Sequence, residues 1–525
     1  MIRVKNIKVL LDEELKEKIF KKTGLKKDDI KEIKIIKKSL DARRENNIHY
    51  VYEVDLKLAD ENKIKFTDDI IKSPDEEFKF KITGNKIMNK RPVIVGSGPA
   101  GLFCAYILAE NNYKPIIIER GEEVDKRIKS VNRFWKENVL NENSNVQFGE
   151  GGAGTFSDGK LNTLIKDKEF IGKKVFEIFV ENGANEEIMY EKNPHIGTDK
   201  LVNIIKNIRN KIINMGGEFR FNSQLTDINI NNNKIDSIII NDSEIIKTET
   251  LILAIGHSAR DTFKMLYNNG LIMTQKPFAV GIRIQHPQEF INKSQYKKYY
   301  KELPNANYKL TYQSKSNRGV YSFCMCPGGY VVNSSSEKNH LVINGMSYHK
   351  RDSLNANSAL VVSVSAKDFE DDLWGGLNFQ KELEKKAYDY ANGLIPIQLL
   401  KDFYLDKKTT ELKSVKPIFK GNYSFANIND ILPKFICDDL KKAINYFDKK
   451  IKGFKMDDAI ISAVESRTSS PIRIIRDKNL MSNIKGIYPV GEGAGYAGGI
   501  TTSSIDGIKA AISISKIYKG VKDEW

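Results

Sequence analysis

The segment that most constrains the fold of this chain covers residues 92–101, Pro-Val-Ile-Val-Gly-Ser-Gly-Pro-Ala-Gly. A second apolar run, Pro-Ile-Ile-Ile at 115–118, is followed at once by Glu119. This order predicts a buried strand, a glycine turn, a helix, a second buried strand and an acidic residue. Because all five parts stand in order over about thirty residues, the chain is predicted to contain a Rossmann unit that binds a dinucleotide.

Each glycine of this fingerprint has its own role. Gly96 permits the tight turn, Gly98 lets backbone N–H groups approach a pyrophosphate, and Gly101 lets the helix pack closely on the strand. The helix N-terminus would offer the phosphates unpaired donors and a partial positive charge. Glu119 is placed to accept hydrogen bonds from an adenosine ribose. The cofactor contacts predicted in this part of the chain are Gly96, Ser97, Gly98, Pro99, Ala100, Gly101, Glu119 and Arg120.

Two further glycine-rich segments carry the same implication. Residues 148–161, Phe-Gly-Glu-Gly-Gly-Ala-Gly-Thr-Phe-Ser-Asp-Gly-Lys-Leu, cannot form a helix or a regular strand, and predict a loop whose backbone lies against a ligand. Residues 486–500 read as a strand that enters a glycine loop, and Thr501 then opens a helix. One dinucleotide fingerprint with three glycine-rich surfaces favours an extended cofactor, and FAD fits better than NAD.

Composition and charge narrow the class of protein. The 525 residues are too many for one core, and 40% hydrophobic with 29% charged residues is typical of a soluble globular protein. No apolar run is long enough to span a membrane, and the N-terminus lacks the pattern of a signal peptide, so a cytoplasmic location is expected. The four cysteines form neither a disulfide framework nor a metal-ligand cluster, and no metal is expected. The net charge of +16 is dispersed, which disfavours a nucleic-acid partner without excluding one.

The predicted fold class is α/β, with a Rossmann-type domain built from discontinuous segments. Four segments are expected: a small ferredoxin-like α/β domain over 1–88, the first part of the dinucleotide-binding domain over 89–262, a mixed α+β substrate domain over 263–477, and a return segment of the binding domain over 478–525. Strands are predicted at 2–10, 33–40, 49–58, 219–230, 234–240, 250–256, 277–284, 330–333 and 359–364, and helices at 12–22, 199–215, 378–392 and 434–447.

Several long motifs are similar to those of one family. They are residues 145–161, 254–261 (Ala-Ile-Gly-His-Ser-Ala-Arg-Asp), 323–329 (Phe-Cys-Met-Cys-Pro-Gly-Gly), 344–348, 465–471 (Glu-Ser-Arg-Thr-Ser-Ser-Pro), 491–500 and, near the N-terminus, 39–43. Together they resemble the largely uncharacterised prokaryotic FAD-dependent dehydrogenases, whose FAD-binding fold is related to glutathione reductase and which carry an N-terminal ferredoxin-like domain. The likeness runs over nearly the whole chain.

The resemblance implies further contacts with FAD. Gly152, Thr155, Ser157, Gly159, Lys160 and Leu161 would cover the phosphates and the ribityl chain, with Gly256 close by. Gly491 and Glu492 would meet the ribityl hydroxyls, and Gly499, Ile500 and Thr501 would face the pyrimidine edge of the ring. A helix that starts near Thr501 would stabilise negative charge on the reduced ring by up to about 2 kcal/mol.

The candidates for catalysis are His257, Arg283, His286, Tyr348 and Arg467, with Arg260 and Arg473 as further arginines that suit a bound carboxylate or phosphate. For any single arginine, a structural ion pair is the alternative. Cys324 and Cys326 suggest a redox dithiol, against the alternative of two small buried residues beside the cofactor.

The predicted function is an FAD-dependent oxidoreductase that transfers hydride between flavin N5 and an organic substrate, which the arginines suggest is anionic. NADH or NADPH is expected only as a transient electron donor, because no second fingerprint is present. Three alternatives stay open: an FAD-dependent RNA-binding or RNA-modifying protein, a polyprenyl-lipid reductase with a long apolar tunnel in residues 263–477, and a sensor in which FAD is structural.

Overall fold

The computed structural model describes residues 1–163 and 165–522; the last three residues of the predicted return segment therefore lie outside it. The strands of the described chain are β1 (Ile2–Leu10), β2 (Ile30–Asp41), β3 (His49–Leu58), β4 (Ile70–Lys72), β5 (Lys86–Met88), β6 (Val93–Val95), β7 (Ile116–Ile118), β8 (Glu218–Arg220), β9 (Leu225–Asn231), β10 (Lys234–Ile240), β11 (Glu244–Lys247), β12 (Leu251–Leu253), β13 (Met273–Gln275), β14 (Phe278–Pro287), β15 (Thr311–Gln313), β16 (Gly319–Cys326), β17 (Tyr330–Asn333), β18 (Ile343–Met346), β19 (Asn355–Val364), β20 (Ile395–Leu399), β21 (Phe419–Lys420), β22 (Tyr423–Phe425), β23 (Ile460–Glu465), β24 (Ile472–Ile474), β25 (Ile487–Pro489) and β26 (Tyr518–Val521).

The helices are α1 (Leu15–Thr23), α2 (Pro99–Glu110), α3 (Val124–Glu137), α4 (Ile171–Glu181), α5 (Thr198–Asn214), α6 (Arg260–Asn268), α7 (Gln288–Tyr296), α8 (Gly375–Tyr390), α9 (Leu400–Tyr404), α10 (Ile428–Ile431), α11 (Lys434–Lys450) and α12 (Ile500–Ser515). Within the described chain, no helix is both long enough and apolar enough to span a bilayer.

The Rossmann unit forms a five-stranded parallel sheet in the order β25-β12-β6-β7-β8. Its central strands are three-residue apolar runs that are buried on both faces, as parallel strands usually are. Helices α2, α4, α5 and α12 pack on one face of the sheet. The antiparallel sheet β11-β10-β9 packs on the other face with α6, so the unit has three layers.

The predicted strand at 219–230 is wrong as a single element. Its first residues belong to β8 and extend the parallel sheet beside β7, whereas β9 begins at Leu225 and pairs antiparallel with β10. The turn between β9 and β10 falls in the gap between the two strands predicted at 219–230 and 234–240, and its residues Asn232 and Asn233 take the left-handed conformation that asparagine tolerates.

Residues between the two parts of the Rossmann unit build a second body, here called the cap. Its main sheet has seven strands in the order β15-β16-β19-β14-β23-β20-β22, and a smaller sheet has the order β18-β17-β21. Helices α7, α8, α10 and α11 enclose an apolar core against the main sheet. Strands β14 and β19 pair over ten residues, which makes them the rigid centre of the cap.

The small N-terminal sheet has the order β2-β3-β1-β4, with all neighbours antiparallel. Helix α1 connects β1 to β2, whereas β3 and β4 are joined by a loop with a short 3₁₀ turn instead of the second helix of a ferredoxin-like βαββαβ unit. Residues 73–88, here called the strap, link this sheet to the Rossmann unit: Phe78 and Phe80 pack on the helical layer, and β5 pairs with β26.

Candidate functional site

A cleft with an interior volume of about 390 Å³ opens at the carboxyl ends of β6, β12 and β25. This edge of an open parallel sheet is where ligands bind in α/β folds. Several distant parts of the chain, including the cap, form its wall. The predicted site residues that line it are Gly96, Gly98, Pro99, Ala100, Glu119, Arg120, Gly152, Ser157, Gly159, Lys160, Gly256, His257, Cys324, Cys326, Arg467, Gly491, Glu492, Gly499 and Ile500.

The glycines of the first fingerprint permit close backbone approaches. A Cβ on Gly101 would lie 1.9 Å from the carbonyl oxygen of Gly96, so only glycine lets α2 pack this close to the turn. Gly96 has φ +100° and its Cβ would meet the carbonyl oxygen of Ala254 at 2.3 Å. At Gly98, in contrast, the nearest atom is the Cα of Gly152 at 3.7 Å. Protein packing therefore does not require a glycine at position 98. The missing side chain instead leaves space in the cleft.

The other glycine loops interlock with the first. The backbone N–H of Gly151 donates to the carbonyl of Ser97 at 2.9 Å. A Cβ on Gly493 would lie 2.5 Å from the carbonyl oxygen of Gly256, and one on Gly491 would lie 2.9 Å from the Cβ of Ala100. The three loops thus form one continuous backbone surface around the cleft.

Arg127 on α3 holds the second glycine loop in shape. Its guanidinium is fully buried and donates to the carbonyls of Asn145, Val146, Glu150 and Gly152 at 2.6–3.0 Å. Burial lowers the pKa of Arg127 to about 10, and the charges of nearby carboxylates oppose that shift. A charged hub of this kind fixes a loop that has no regular secondary structure.

Two helices point free N-termini into the cleft. Helix α2 begins after Gly98, and α12 begins after Gly499; neither has a side-chain cap on its first N–H groups. Uncapped N–H groups and the helix dipole make both positions suited to negative charge. They suit the phosphates of a dinucleotide at α2 and the electron-rich edge of a flavin at α12.

Glu119 does not have the free carboxylate that the sequence predicted. Its Oε2 accepts hydrogen bonds from the backbone N–H and the hydroxyl of Ser97 at 2.9 and 2.6 Å, and its Oε1 accepts from the N–H groups of Gly121 and Gly149 at 2.9 and 3.1 Å. Four donors fill the acceptor sites of one carboxylate. Glu119 lines the cleft, yet its hydrogen bonds tie the first two glycine loops together.

His257 follows the last strand residue of β12 by four positions and pairs with the third loop. Its Nδ1 lies 3.2 Å from Oε1 of Glu492, and its side chain is 9% exposed. Its Nε2 is buried and has no hydrogen-bond partner among the described residues. Because a buried polar atom without a partner is costly, this nitrogen is suited to a ligand in the cleft.

Arg467 reaches the cleft as part of a buried charge cluster. Both Arg260 and Arg467 make bidentate hydrogen bonds to the fully buried carboxylate of Glu384, at 2.7–3.0 Å. Burial alone would raise the pKa of Glu384, but the two guanidinium charges outweigh it and hold that pKa well below its usual value. Arg467 also donates to the hydroxyls of Ser258 and Ser336. Both arginines therefore take part in structural ion pairs, which was the alternative to a contact with substrate.

Arg283 lies beneath the cap side of the cleft. It is fully buried, makes two hydrogen bonds of 2.9 Å to Glu465, and donates further to the side chains of Asn344 and Asn357 and to the carbonyl of Cys324. All its donors are thus used within the protein. Arg283 positions the strand residues that line the cleft and does not reach the cleft itself.

The two cysteines of β16 differ in environment. A bulge between Phe323 and Cys326 breaks the strand alternation, and Cys324 takes a positive φ of 42° that turns its side chain to the cleft. Cys326 is buried, and its thiol lies 3.2 Å from the carbonyl of Cys324. Desolvation inside the cleft raises the pKa of the Cys324 thiol, and the charge of Lys160 opposes that shift. Both thiols are free in the structure.

Several predicted site residues lie outside the cleft wall. His286 is fully buried in the cap core, where its Nε2 lies 2.7 Å from the Phe454 carbonyl and burial lowers its pKa to about 4. Tyr348 packs edge-on against Tyr330. The hydroxyl of Thr501 donates to the carbonyl of Leu161. Ser97, Gly101, Thr155, Leu161 and Thr501 pack behind the glycine loops. The other predicted site residues that do not line the cleft are Arg260, Arg283, His286, Tyr348 and Arg473.

Sequence reasoning missed Arg127, because its partners are backbone carbonyls and no motif marks them. It also missed Asp158, which is buried beside Lys160 and forms an ion pair with Arg351. Asp158 stands inside the second glycine segment, so its charge among glycines was a usable signal. In the described chain no group of three or more His, Cys, Asp or Glu residues could hold a metal ion.

Three family models match the chain. They are FAD-dependent protein, C-terminal domain-like, over residues 277–468; NAD(P)-binding Rossmann-like domain, over 94–148; and a domain of unknown function, DUF8436, over 1–57. A protein of Clostridium beijerinckii, described as uncharacterized, is 47% identical over 523 residues, which cover 97% of this chain and 98% of that protein. The chain belongs to this family of FAD-dependent proteins.

Solved structures give distant matches to the FAD-dependent protein. L-proline dehydrogenase from P. horikoshii is 11% identical, with 82% of this chain and 94% of that chain covered and a TM-score of 0.35. Glycine oxidase from Bacillus cereus is 11% identical, with coverages of 82% and 98% and a TM-score of 0.36.

The cleft of the FAD-dependent protein fits its cofactor on three structural grounds. Gly256 and Gly498 line it with no atom within 4 Å of a would-be Cβ, so bare backbone faces the open space. His257 supplies a buried nitrogen without a partner, and α2 and α12 supply uncapped N-termini. An extended dinucleotide satisfies all of these groups at once.

Proposed function

We propose that this protein is an FAD-dependent oxidoreductase acting on a small organic substrate held between the cofactor and the cap. The observation that carries the proposal is the convergence of three glycine loops and two uncapped helix N-termini on one cleft, whose wall also includes residues of the cap strands β16 and β18. The flavin, when bound, supplies the hydride chemistry.

The residues of this chain have separate tasks in the proposal. The N-terminus of α2, with Gly96 and Gly98, would hold the pyrophosphate. The Nδ1–H of His257 donates to the carboxylate of Glu492, which orients the ring, so Nε2 would accept a hydrogen bond from the cofactor. The N-terminus of α12 stabilises negative charge at the far end of the cleft. Lys160 of the second glycine segment and Cys324 of the cap are among the polar side chains that line the cleft, and they are the candidates to contact substrate.

Gly98 offers a direct test of the cofactor position. Its φ of −73° is open to any residue, and a Cβ there has an ordinary contact of 3.7 Å with the protein. Gly98→Ala should therefore fold normally, while its methyl group occupies the path of the pyrophosphate and weakens FAD binding by at least about tenfold. Titration of the apoprotein with FAD, followed by flavin fluorescence, measures the change.

The matched control is Gly319→Ala on β16, outside the cleft wall, where the added methyl would meet a serine hydroxyl at 3.3 Å and a tyrosine ring carbon at 4.0 Å. It should leave FAD affinity unchanged. Equal affinity of Gly98→Ala and the parent protein would contradict the proposed cofactor position.

The oxidoreductase activity is tested on the FAD-loaded protein under anaerobic conditions. Mixing with NADH, NADPH or a panel of organic acids, alcohols and amines should bleach the flavin absorbance with at least one donor, or reoxidise dithionite-reduced protein with at least one acceptor. A protein that takes up no FAD, or whose bound flavin exchanges electrons with no member of the panel, would contradict the proposal.

A further inference from the structure

Two cations stand close together at the mouth of the cleft. Strands β13 and β24 form a two-stranded antiparallel ribbon in which Thr274 lies opposite Arg473, and the N–H of Lys276 donates to the carbonyl of Pro471. Lys276 and Arg473 are therefore diagonal neighbours on one face of the ribbon. Like charges in such positions repel, so the face is suited to an anion.

Within the described residues these charges are only partly compensated. Lys276 donates to the hydroxyl of Ser469 at 2.5 Å; burial and then Arg473 lower its pKa, and Glu492 acts in the opposite direction. Arg473 makes no ion pair with a described residue, and its Nε is buried without a hydrogen-bond acceptor. Glu492 is itself in contact with His257.

The charge of the neighbouring Arg476, in contrast, is fully compensated by a carboxylate. It makes two hydrogen bonds, of 2.8 and 2.9 Å, to the carboxylate of Asp506. Both Arg473 and Arg476 place their guanidinium carbons near the ring of Tyr496, at 5.0 and 3.8 Å from its centre, and that tyrosine is 39% exposed. The uncompensated charge thus belongs to Lys276 and Arg473.

These residues adjoin the cleft. Thr468 and Glu492 line it, Ser469 follows Thr468, and Gly498 of the loop that carries Tyr496 lines it as well. Lys276, Arg473 and Tyr496 are here called the rim cluster. The rim cluster thus places two cations and an exposed aromatic ring next to residues that line the cleft.

We propose that the rim cluster binds the anionic group of the molecule that exchanges electrons with the flavin. Lys276 and Arg473 hold a carboxylate or a phosphate, and the ring of Tyr496 packs against a planar part of the same molecule. The inference rests on the proposed function and names its reactant as an anion. Two sources share this chemistry: the carboxylate of an organic acid substrate and the phosphates of a nicotinamide dinucleotide.

The test titrates the FAD-loaded protein with benzoate and, separately, with NADP⁺, and follows the flavin absorbance band. At least one of the two should perturb the band saturably, and the one that does identifies the source. Arg473→Gln and Lys276→Gln should each weaken that binding by about tenfold or more, because each removes a direct charge contact. Lys309→Gln, which removes an exposed lysine from the cap, is the control of equal charge change and should have no effect.

Three results would overturn the inference: no perturbation by either anion, equal weakening by Lys309→Gln, or loss of FAD affinity in Arg473→Gln and Lys276→Gln, which would assign the cluster to the cofactor. Equilibrium dialysis of the same anions with the apoprotein gives a second readout. If the protein takes up no FAD, the proposed function fails, and dialysis still decides whether the rim cluster binds anions.

Discussion

Arg127 is the residue on which the shape of the cofactor loop depends. Arg127→Met would leave several buried carbonyls without donors, so we expect a loss of about 3 kcal/mol in the free energy of unfolding and a large loss of FAD affinity. Urea unfolding of the apoprotein and FAD titration measure the two effects. Arg133→Met, on the same helix but 63% exposed, is the control and should change neither.

His286 makes stability depend on pH. In the folded protein its pKa is about 4, below the ordinary 6.5, because burial disfavours the charged ring. Between these values the unfolded chain binds more protons, so this group lowers stability as pH falls, by about 2 kcal/mol from about pH 7 to about pH 5. His286→Gln should remove that part of the loss in urea unfolding, whereas His340→Gln, near the surface, should not. An unchanged pH slope in His286→Gln would contradict this reading.

Arg127 and His286 also illustrate what the sequence can and cannot predict. His286 and Arg283 lie on the same strand, β14, but a spacing of three residues puts the two side chains on opposite faces, and only the Arg283 side borders the cleft region. Arg127 bonds to carbonyls, which every residue carries. The position of Glu119 after a strand marked it as a site residue. The structure differs from the predicted ribose contact because nearby backbone N–H groups donate to the carboxylate oxygens of Glu119.

At the scale of elements, α2 depends on Gly101. Gly101→Ala would force its methyl against the Gly96 carbonyl, so we expect α2 to move off β6 at a cost of about 3 kcal/mol. Gly98→Ala, one turn earlier, is the control. Its midpoint of urea unfolding should equal that of the parent protein, although it binds FAD poorly. If Gly101→Ala retained full stability, the close packing of α2 would not be required.

Elements with strong patterns were predicted closely. The strands at 2–10, 49–58 and 330–333 have the bounds that alternation or apolar runs indicated, and the helix predicted at 199–215 is α5. The division of 219–230 between two sheets was not predictable, because period and composition do not show which sheet a strand joins. The bulge at Cys324 was hidden for a similar reason: it depends on the pairing with β19.

At the scale of the whole molecule, ion pairs of a buried arginine connect the N-terminal sheet to the strap. Arg3 is 5% exposed, and its guanidinium donates hydrogen bonds to Asp55 on β3 and to Glu76 of the strap. Arg3→Met would leave the Asp55 carboxylate buried and uncompensated, so we expect a loss of about 3 kcal/mol in the stability of this sheet. Limited proteolysis should cut the variant faster within residues 59–69, while FAD affinity stays unchanged. Arg43→Met, 87% exposed, is the control.

The cleft wall is completed by Gly491–Ile500, which lies some four hundred residues after the first fingerprint. During synthesis, the fingerprint therefore leaves the ribosome long before the loop that faces it. A nascent chain, or one that terminates before residue 491, would present an incomplete binding surface, and uptake of the yellow pigment would mark only polypeptides that include this loop.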